Sequence, residues 1–234
     1  MKEQNQSAKI RTYFDELSGI WRTKYRPGEG GMAERIPLFK NALLAVSKTC
    51  SDRVLDFGCG SGVIAQALKE SGFEVVGCDL SLKMLEEARR CSDKNSFWVA
   101  SGCLKTGFLP FRDASFDGVM ASGVFEYLDE PQRYLEEFCR ILNSGGHLFI
   151  TVPDSSHRIR KNEKIIIRGM SLLKVQYFMR FLPKKIAHYF QYLSLSKQRY
   201  EPNHWCRLFK DSGFIPSILR QDQSPTLLIR GDKA

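Results

Sequence analysis

The sequence predicts an α/β fold: a mostly parallel sheet of seven strands with helices on both faces, and a helical insertion before the last helix–strand unit. Three observations carry this. Between residues 53 and 152, short runs rich in Val, Ile and Phe alternate with segments of helical apolar spacing, the pattern of successive βαβ units. The first run, Arg53-Val54-Leu55-Asp56-Phe57, ends in Gly58-Cys59-Gly60-Ser61-Gly62. The second, Val75-Val76-Gly77-Cys78-Asp79, ends in an acid seventeen residues past Gly62. A glycine turn and a carboxylate therefore meet at one edge of the sheet.

Taken in order, residues 7–20 and 33–48 carry helix-period apolar positions: Ile10, Tyr13, Phe14 and Leu17, then Ile36, Phe39, Leu43 and Val46. Pro27-Gly28-Glu29-Gly30-Gly31 between them reads as a turn. Strands are expected at 53–57, 74–79, 96–100, 116–121 and 146–152. Helices are expected at 61–71, 81–91 and 131–142, the last with Pro131 in its first turn, where its missing N–H costs nothing. From Asp154 to Asn203 no strand pattern appears, and two or three amphipathic helices broken at Pro183 are expected. A helix at 204–213 and strands near 214–220 and 225–230 close the chain. This divides it into an N-terminal helical cover (1–48), a core (49–153 with 204–234) and an insertion (154–203).

Composition agrees. A chain of 234 residues can bury a large single core. No run of eighteen apolar residues predicts a membrane span, and the N-terminus, Met-Lys-Glu-Gln-Asn-Gln-Ser, has no apolar signal core. Seven cysteines without a C-x-x-C pair support neither zinc nor a disulfide framework. Cys59, Cys78 and Cys91 read as reduced packing residues suited to the cytoplasm.

The glycine spacing narrows the ligand. A dinucleotide fingerprint, G-x-G-x-x-G, needs its third glycine where this chain has Val63, and no Gly-Lys-Ser/Thr follows to make a P-loop. Gly58 and Gly60 permit positive φ and leave room for a ligand, and the helix N-terminus beyond them favours a carboxylate. Asp79 stands where it can accept hydrogen bonds from ribose hydroxyls. A ligand with a ribose, an amino-acid carboxylate and no phosphate fits: S-adenosylmethionine, with S-adenosylhomocysteine (SAH) as the product.

The segment resembles motif I of the class I S-adenosylmethionine-dependent methyltransferases, whose core is a Rossmann-like sheet. Later landmarks follow in that family's order: Asp79-Leu80-Ser81-Leu82-Lys83-Met84, then Leu109-Pro110-Phe111 with Ser115-Phe116-Asp117-Gly118-Val119, then Leu142-Asn143-Ser144-Gly145-Gly146. The likeness covers about residues 50–153 and is greatest to the branch of ubiquinone, menaquinone and other small-molecule methyltransferases. It implies that Asp56 fixes the loop or orients the cofactor's amino group, with Gly58, Cys59 and Gly60 beside it. Leu80 and Met84 flank the adenine, Met84 being equally a core residue. Where relatives carry an acid after the third strand, this chain has Cys103, so adenine recognition passes to Ser101 or to the backbone of Cys103 and Leu104. Ser122 follows the fourth strand on the side of the transferring methyl, and Tyr127 stands where relatives often have His. Tyr127 and Glu126 orient or deprotonate an acceptor, or simply begin a helix. His157, after the fifth strand, is a further candidate base, with His188 and His204 near the insertion. Tyr13, Trp21 and Tyr25 either cover the cofactor or pack in the core.

The insertion holds eleven Lys/Arg against three acids, +8 of the chain's +9. With Ile165, Ile166, Ile167, Phe178, Phe181 and Tyr189 among them, these cations, including Arg158, Arg160 and Lys161, suit an amphipathic acceptor at a membrane surface or an anionic metabolite. RNA would also be attracted, but no RNA-binding module is evident. The expected activity is in-line methyl transfer to oxygen, nitrogen or carbon of a small-molecule or lipid-like acceptor, without a metal, in the cytoplasm or peripheral to the membrane. An RNA methyltransferase and a non-catalytic cofactor-binding module are the alternatives.

Overall fold

The computed structural model describes residues 2–28, 32–49, 51–92, 97–100, 108–172, 181–220 and 224–234. Its strands are β1 (Arg53–Phe57), β2 (Glu74–Asp79), β3 (Phe97–Ala100), β4 (Phe116–Ser122), β5 (Leu142–Pro153), β6 (Phe214–Arg220) and β7 (Thr226–Lys233). They form one seven-stranded sheet in the order β3-β2-β1-β4-β5-β7-β6. β7 runs antiparallel to both β5 and β6, and the pairs from β3 to β5 are parallel. The chain order therefore reverses between β1 and β4, where α/β sheets open a crevice at their carboxyl edge.

Helices cover both faces because the parallel strands are apolar on both. On β1, Val54 faces one way, onto Phe39 and Leu43 of α2 (Arg35–Leu44) and Ile64, Ala65 and Leu68 of α3 (Val63–Lys69). Leu55 faces the other, in a cluster with Tyr134, Leu135 and Phe138 of α5 (Pro131–Ile141) and Trp205 and Phe209 of α8 (Pro202–Asp211). Phe138 sits among Phe57, Phe125 and Tyr134 with ring centroids 5.1 to 6.5 Å away. Phe138→Ala is expected to cost about 3–5 kcal/mol, since the rigid sheet beneath cannot collapse into the cavity. Urea unfolding followed by circular dichroism measures this; a loss under about 1 kcal/mol contradicts the packing.

A third cluster lies at the carboxyl edge. It joins Ile10, Tyr13 and Leu17 of α1 (Lys2–Trp21) to Met84 of α4 (Leu82–Arg90), Tyr127, and Leu195 at the end of α7 (Lys184–Leu195). Ser81 caps α4, accepting the Met84 N–H at 3.1 Å. In the insertion, α6 (Arg158–Leu172) and α7 are two helices, with Pro183 as the N-cap of α7.

Several boundaries differ from expectation. β5 begins at Leu142 rather than 146, because Leu142 already pairs with Phe116 before the register shifts to Gly118 opposite His147. β7 runs to Lys233 because it is an interior strand, paired on both sides. α2 is shorter than 33–48 and α3 shorter than 61–71, and α8 starts two residues early, with Pro202 in its first turn. No described helix is long and apolar enough to cross a membrane.

Candidate active site

At the carboxyl edge of β1, β2 and β4 lies a cleft of about 710 Å³, its open mouth included. Gly58, Gly60, Asp79, Leu80, Met84, Ser122 and Tyr127 line it, as the sequence leads one to expect, together with Trp21 and Tyr25. The β1–α3 turn is tight. Gly58 and Gly60 have φ of 73° and 53°, and a Cβ would meet Val124 at 2.3 Å and the Trp21 indole at 2.9 Å respectively. Only glycine satisfies both the backbone and the space.

Asp79 holds this turn to the next one. Its Oδ2 accepts the Gly60 N–H at 2.8 Å and its Oδ1 accepts the Ser81 N–H at 2.8 Å. Each oxygen keeps a lone pair for a ligand hydroxyl. Burial pushes its pKa up to about 6 against the pull of those N–H groups. Asp56, 1% exposed, does not line the cleft but stands behind it. Burial first, then the Asp79 charge, raises its pKa to about 8, and the Ala65 N–H at the start of α3 offsets this only partly. Its Oδ2 has no hydrogen-bond partner among the described residues. A half-buried acid in the lining with a buried one behind it makes a site that favours a cation.

Other sequence-derived candidates also lie outside the lining. Tyr13 does not line the cleft: it packs behind it at 6% exposure, because its face of α1 turns onto Met84 and Leu195. Glu126 is also outside the lining, its carboxylate accepting from Tyr192 at 3.1 Å and from Ser196 at 2.5 Å. His157 is likewise outside it, at the head of α6, where its Nδ1 accepts the Ile159 N–H at 3.2 Å. Cys59 is buried beside the turn, its Sγ 3.7 Å from the Gly60 carbonyl. Ser101, Cys103 and Leu104 lie outside the described residues. His188 packs edge-on to Tyr13 at 6.4 Å, and His204 lies against Tyr200 with ring centroids 4.1 Å apart and planes tilted by 40°. Burial, with Glu126 second, lifts the Tyr127 hydroxyl well above its ordinary range. It is therefore a proton donor at neutral pH rather than a phenolate base.

The sequence reading missed Ile10 and Phe14 as lining residues, along with Gly123, Val124 and Leu128. The signal was present but ambiguous: Ile10 and Phe14 belong to the helix-period stripe that reads as core. Their side of α1 is fixed by tertiary ties. Ser81 Oγ donates to Asp15 at 2.5 Å, and Arg22 donates to the Ser61 carbonyl at 2.9 Å. Phe14 lies 5.4 Å from both Trp21 and Tyr127, edge to face, so three rings wall the mouth.

Residues 55–150 match the family profile of a methyltransferase domain. The ubiquinone biosynthesis O-methyltransferase of Coxiella burnetii is 26% identical over 144 residues, which are 62% of this chain and 58% of that protein. The chain thus spans little more than half the length of that relative. The demethylmenaquinone methyltransferase of Clavibacter sepedonicus is 37% identical over 108 residues, 45% of this chain and 43% of its own. The structure of magnesium protoporphyrin IX methyltransferase from Synechocystis PCC 6803 with bound SAH has the same fold, with a TM-score of 0.66 over 96% of this chain and 98% of that one, at 15% identity.

Proposed function

We propose that the protein is an S-adenosylmethionine-dependent methyltransferase acting on a small-molecule or lipid-like acceptor. The observation that carries this is the cleft itself: Gly58, Gly60 and Asp79 at a sheet crevice, with Asp56 buried behind them and an aromatic wall. S-adenosylmethionine supplies the methyl group and its own leaving group. It is a cation at its sulfur and its amino group, so the lining Asp79 carboxylate matches its charge.

The protein's own work is placement. Asp79 accepts from the ribose hydroxyls, the Gly58–Gly60 backbone approaches closely, and Leu80 and Met84 supply an apolar bed for the adenine. Ser122 and Tyr127 stand at the end of β4, on the side left for the acceptor, with Tyr127 as a hydrogen-bond donor. Phe14, Trp21 and Tyr127 exclude water and favour an aromatic acceptor by edge-to-face packing. The quinone-pathway names of the relatives support the same class. Calorimetric titration with SAH, then SAH release from a panel of alkylated phenols and hydroquinones, tests the reading. Failure of SAH to bind at millimolar concentration sinks it.

Residues 1–48 serve as the cover, 49–153 with 204–234 as the cofactor core, and 154–203 as the acceptor-side lid. The protein works in the cytoplasm, with the lid touching the membrane. Ile159, Ile165 and Ile186 are exposed at 50%, 68% and 45%, among exposed Arg158, Lys161, Lys184 and Lys185. Arg160 does not belong to that set: its guanidinium is turned inward onto Glu163. Replacing Arg158, Lys161, Lys184 and Lys185 by alanine is expected to weaken sedimentation with anionic vesicles by about 1 kcal/mol per charge. Unchanged sedimentation removes the membrane contact and leaves the methyltransferase reading intact.

A further inference from the structure

Between the insertion and the cleft runs a chain of buried charge. Glu163 of α6 is 4% exposed, and Arg160 Nη1 donates to both its oxygens at 3.0 Å. Arg199 donates to Glu163 as well, and its side chain is 6% exposed. Arg160 Nη1 also donates to the Tyr192 hydroxyl oxygen at 2.9 Å. The Tyr192 hydroxyl donates in turn to Glu126 at 3.1 Å. The Glu126 carbonyl accepts the N–H groups of Lys197 and Gln198 at 2.8 and 3.0 Å. Tyr127, the next residue, lines the cleft with its ring edge-on to Tyr192 at 6.4 Å. Three separate segments, α6, the 125–127 turn and the stretch from Tyr192 to Arg199, thus meet at two arginines and two glutamates of balanced charge.

Such a cluster is a poor source of stability, since well-packed apolar groups of equal volume commonly do as well. What it can supply is register. An apolar contact slides, whereas each hydrogen bond along this chain is satisfied in one arrangement and costly to break in a dry site. We propose that Tyr192, held by Arg160, which Glu163 holds in turn, is a positioning residue: through Glu126 it fixes the 125–127 turn that carries Tyr127 and thereby couples the α6–α7 insertion to a ligand in the cleft. This rests on the cofactor reading above.

The test is Tyr192→Phe in the full chain, with SAH as the probe. The change deletes one oxygen and keeps the ring, which stacks on Tyr189 at 6.3 Å. Tyr192 does not line the cleft, so SAH affinity is expected to stay within about threefold of wild type. Hydrogen exchange is the decisive readout. In the wild type, SAH slows exchange at 56–62, at 124–128 and in both insertion helices. In the variant, protection at 56–62 remains, and protection in α6 and α7 falls by about half or more. A merely structural role lowers the melting temperature without removing that SAH-dependent difference. Glu163→Gln gives the same loss and serves if Tyr192→Phe folds poorly. Normal SAH binding with equal protection of α6 and α7 in wild type and variants overturns the coupling alone. No SAH binding by the wild type overturns the cofactor reading and the coupling together.

Discussion

Asp79→Ala is expected to lower affinity for SAH by about 3 kcal/mol or more, on the order of 100-fold. Two losses combine. The ribose loses a charged acceptor, where each hydrogen bond to a charged group is worth about 1.5–3 kcal/mol. The N–H groups of Gly60 and Ser81, both held at 2.8 Å by this carboxylate, lose their partner, so the two turns that frame the cleft come apart. Asp79→Asn keeps one oxygen acceptor and should fall between the two. Calorimetry decides the matter, with circular dichroism to show that the sheet survives. An alanine variant that binds SAH within about fivefold of wild type removes Asp79 from the site.

The second large effect is a pH dependence that runs opposite for the free and the loaded protein. In the free protein the pKa of Asp79 is raised to about 6 and that of Asp56 to about 8. Between their unfolded values near 4 and these folded values, the native state holds more protons than the unfolded one. The stability from the two acids is therefore complete below about pH 4 and is lost as pH rises through about 6 and then about 8. A cationic ligand needs the ionised acids, so affinity for S-adenosylmethionine should rise from about pH 5.5 to 7.5. It should turn over as the ligand's own amino group, pKa about 8, loses its proton. Asp56→Asn separates the two effects. It is expected to raise the melting temperature of the free protein at pH 8.5 by roughly 3 °C, for about 1 kcal/mol, while weakening the cofactor. Thermal scans at pH 5 and 8.5, with and without ligand, measure both. A ligand-free protein whose stability climbs from pH 5 to 8.5 contradicts the assignment of these acids.

The contrast between these residues and the acceptor side explains what could be read in the chain. Val54 to Gly62 and Val75 to Asp79 carry their signal locally: a buried strand ends at a sheet edge, and the glycines there allow the positive φ that a tight turn needs. Tyr13 and Phe14 are a different case. They are neighbours on α1, both aromatic, both in helical register, and the sequence offers no reason to prefer one for the cleft. The ties from Ser81 to Asp15 and from Arg22 to Ser61 choose Phe14. Glu126 and His157 lie outside the cleft lining for the same reason. Each lies close in sequence to a strand end on the correct edge, but side-chain direction there depends on what the insertion offers. Glu126 met Tyr192 and Ser196, some seventy residues on, and turned toward them.

By itself the sequence determined the sheet, its alternation with helices, the glycine turn, the acid at Asp79 and the basic insertion, because strand periodicity, glycine conformation and charge count are properties of neighbouring residues. Only the tertiary structure decided which face of α1 closes the cleft, that Arg160 is turned inward as the partner of Glu163 rather than a surface cation, and that an Asp56 oxygen is left unpaired among the described residues. Those facts depend on which distant groups share a dry space, where the cost of an unmet charge or hydrogen bond fixes orientation and no local pattern records the outcome.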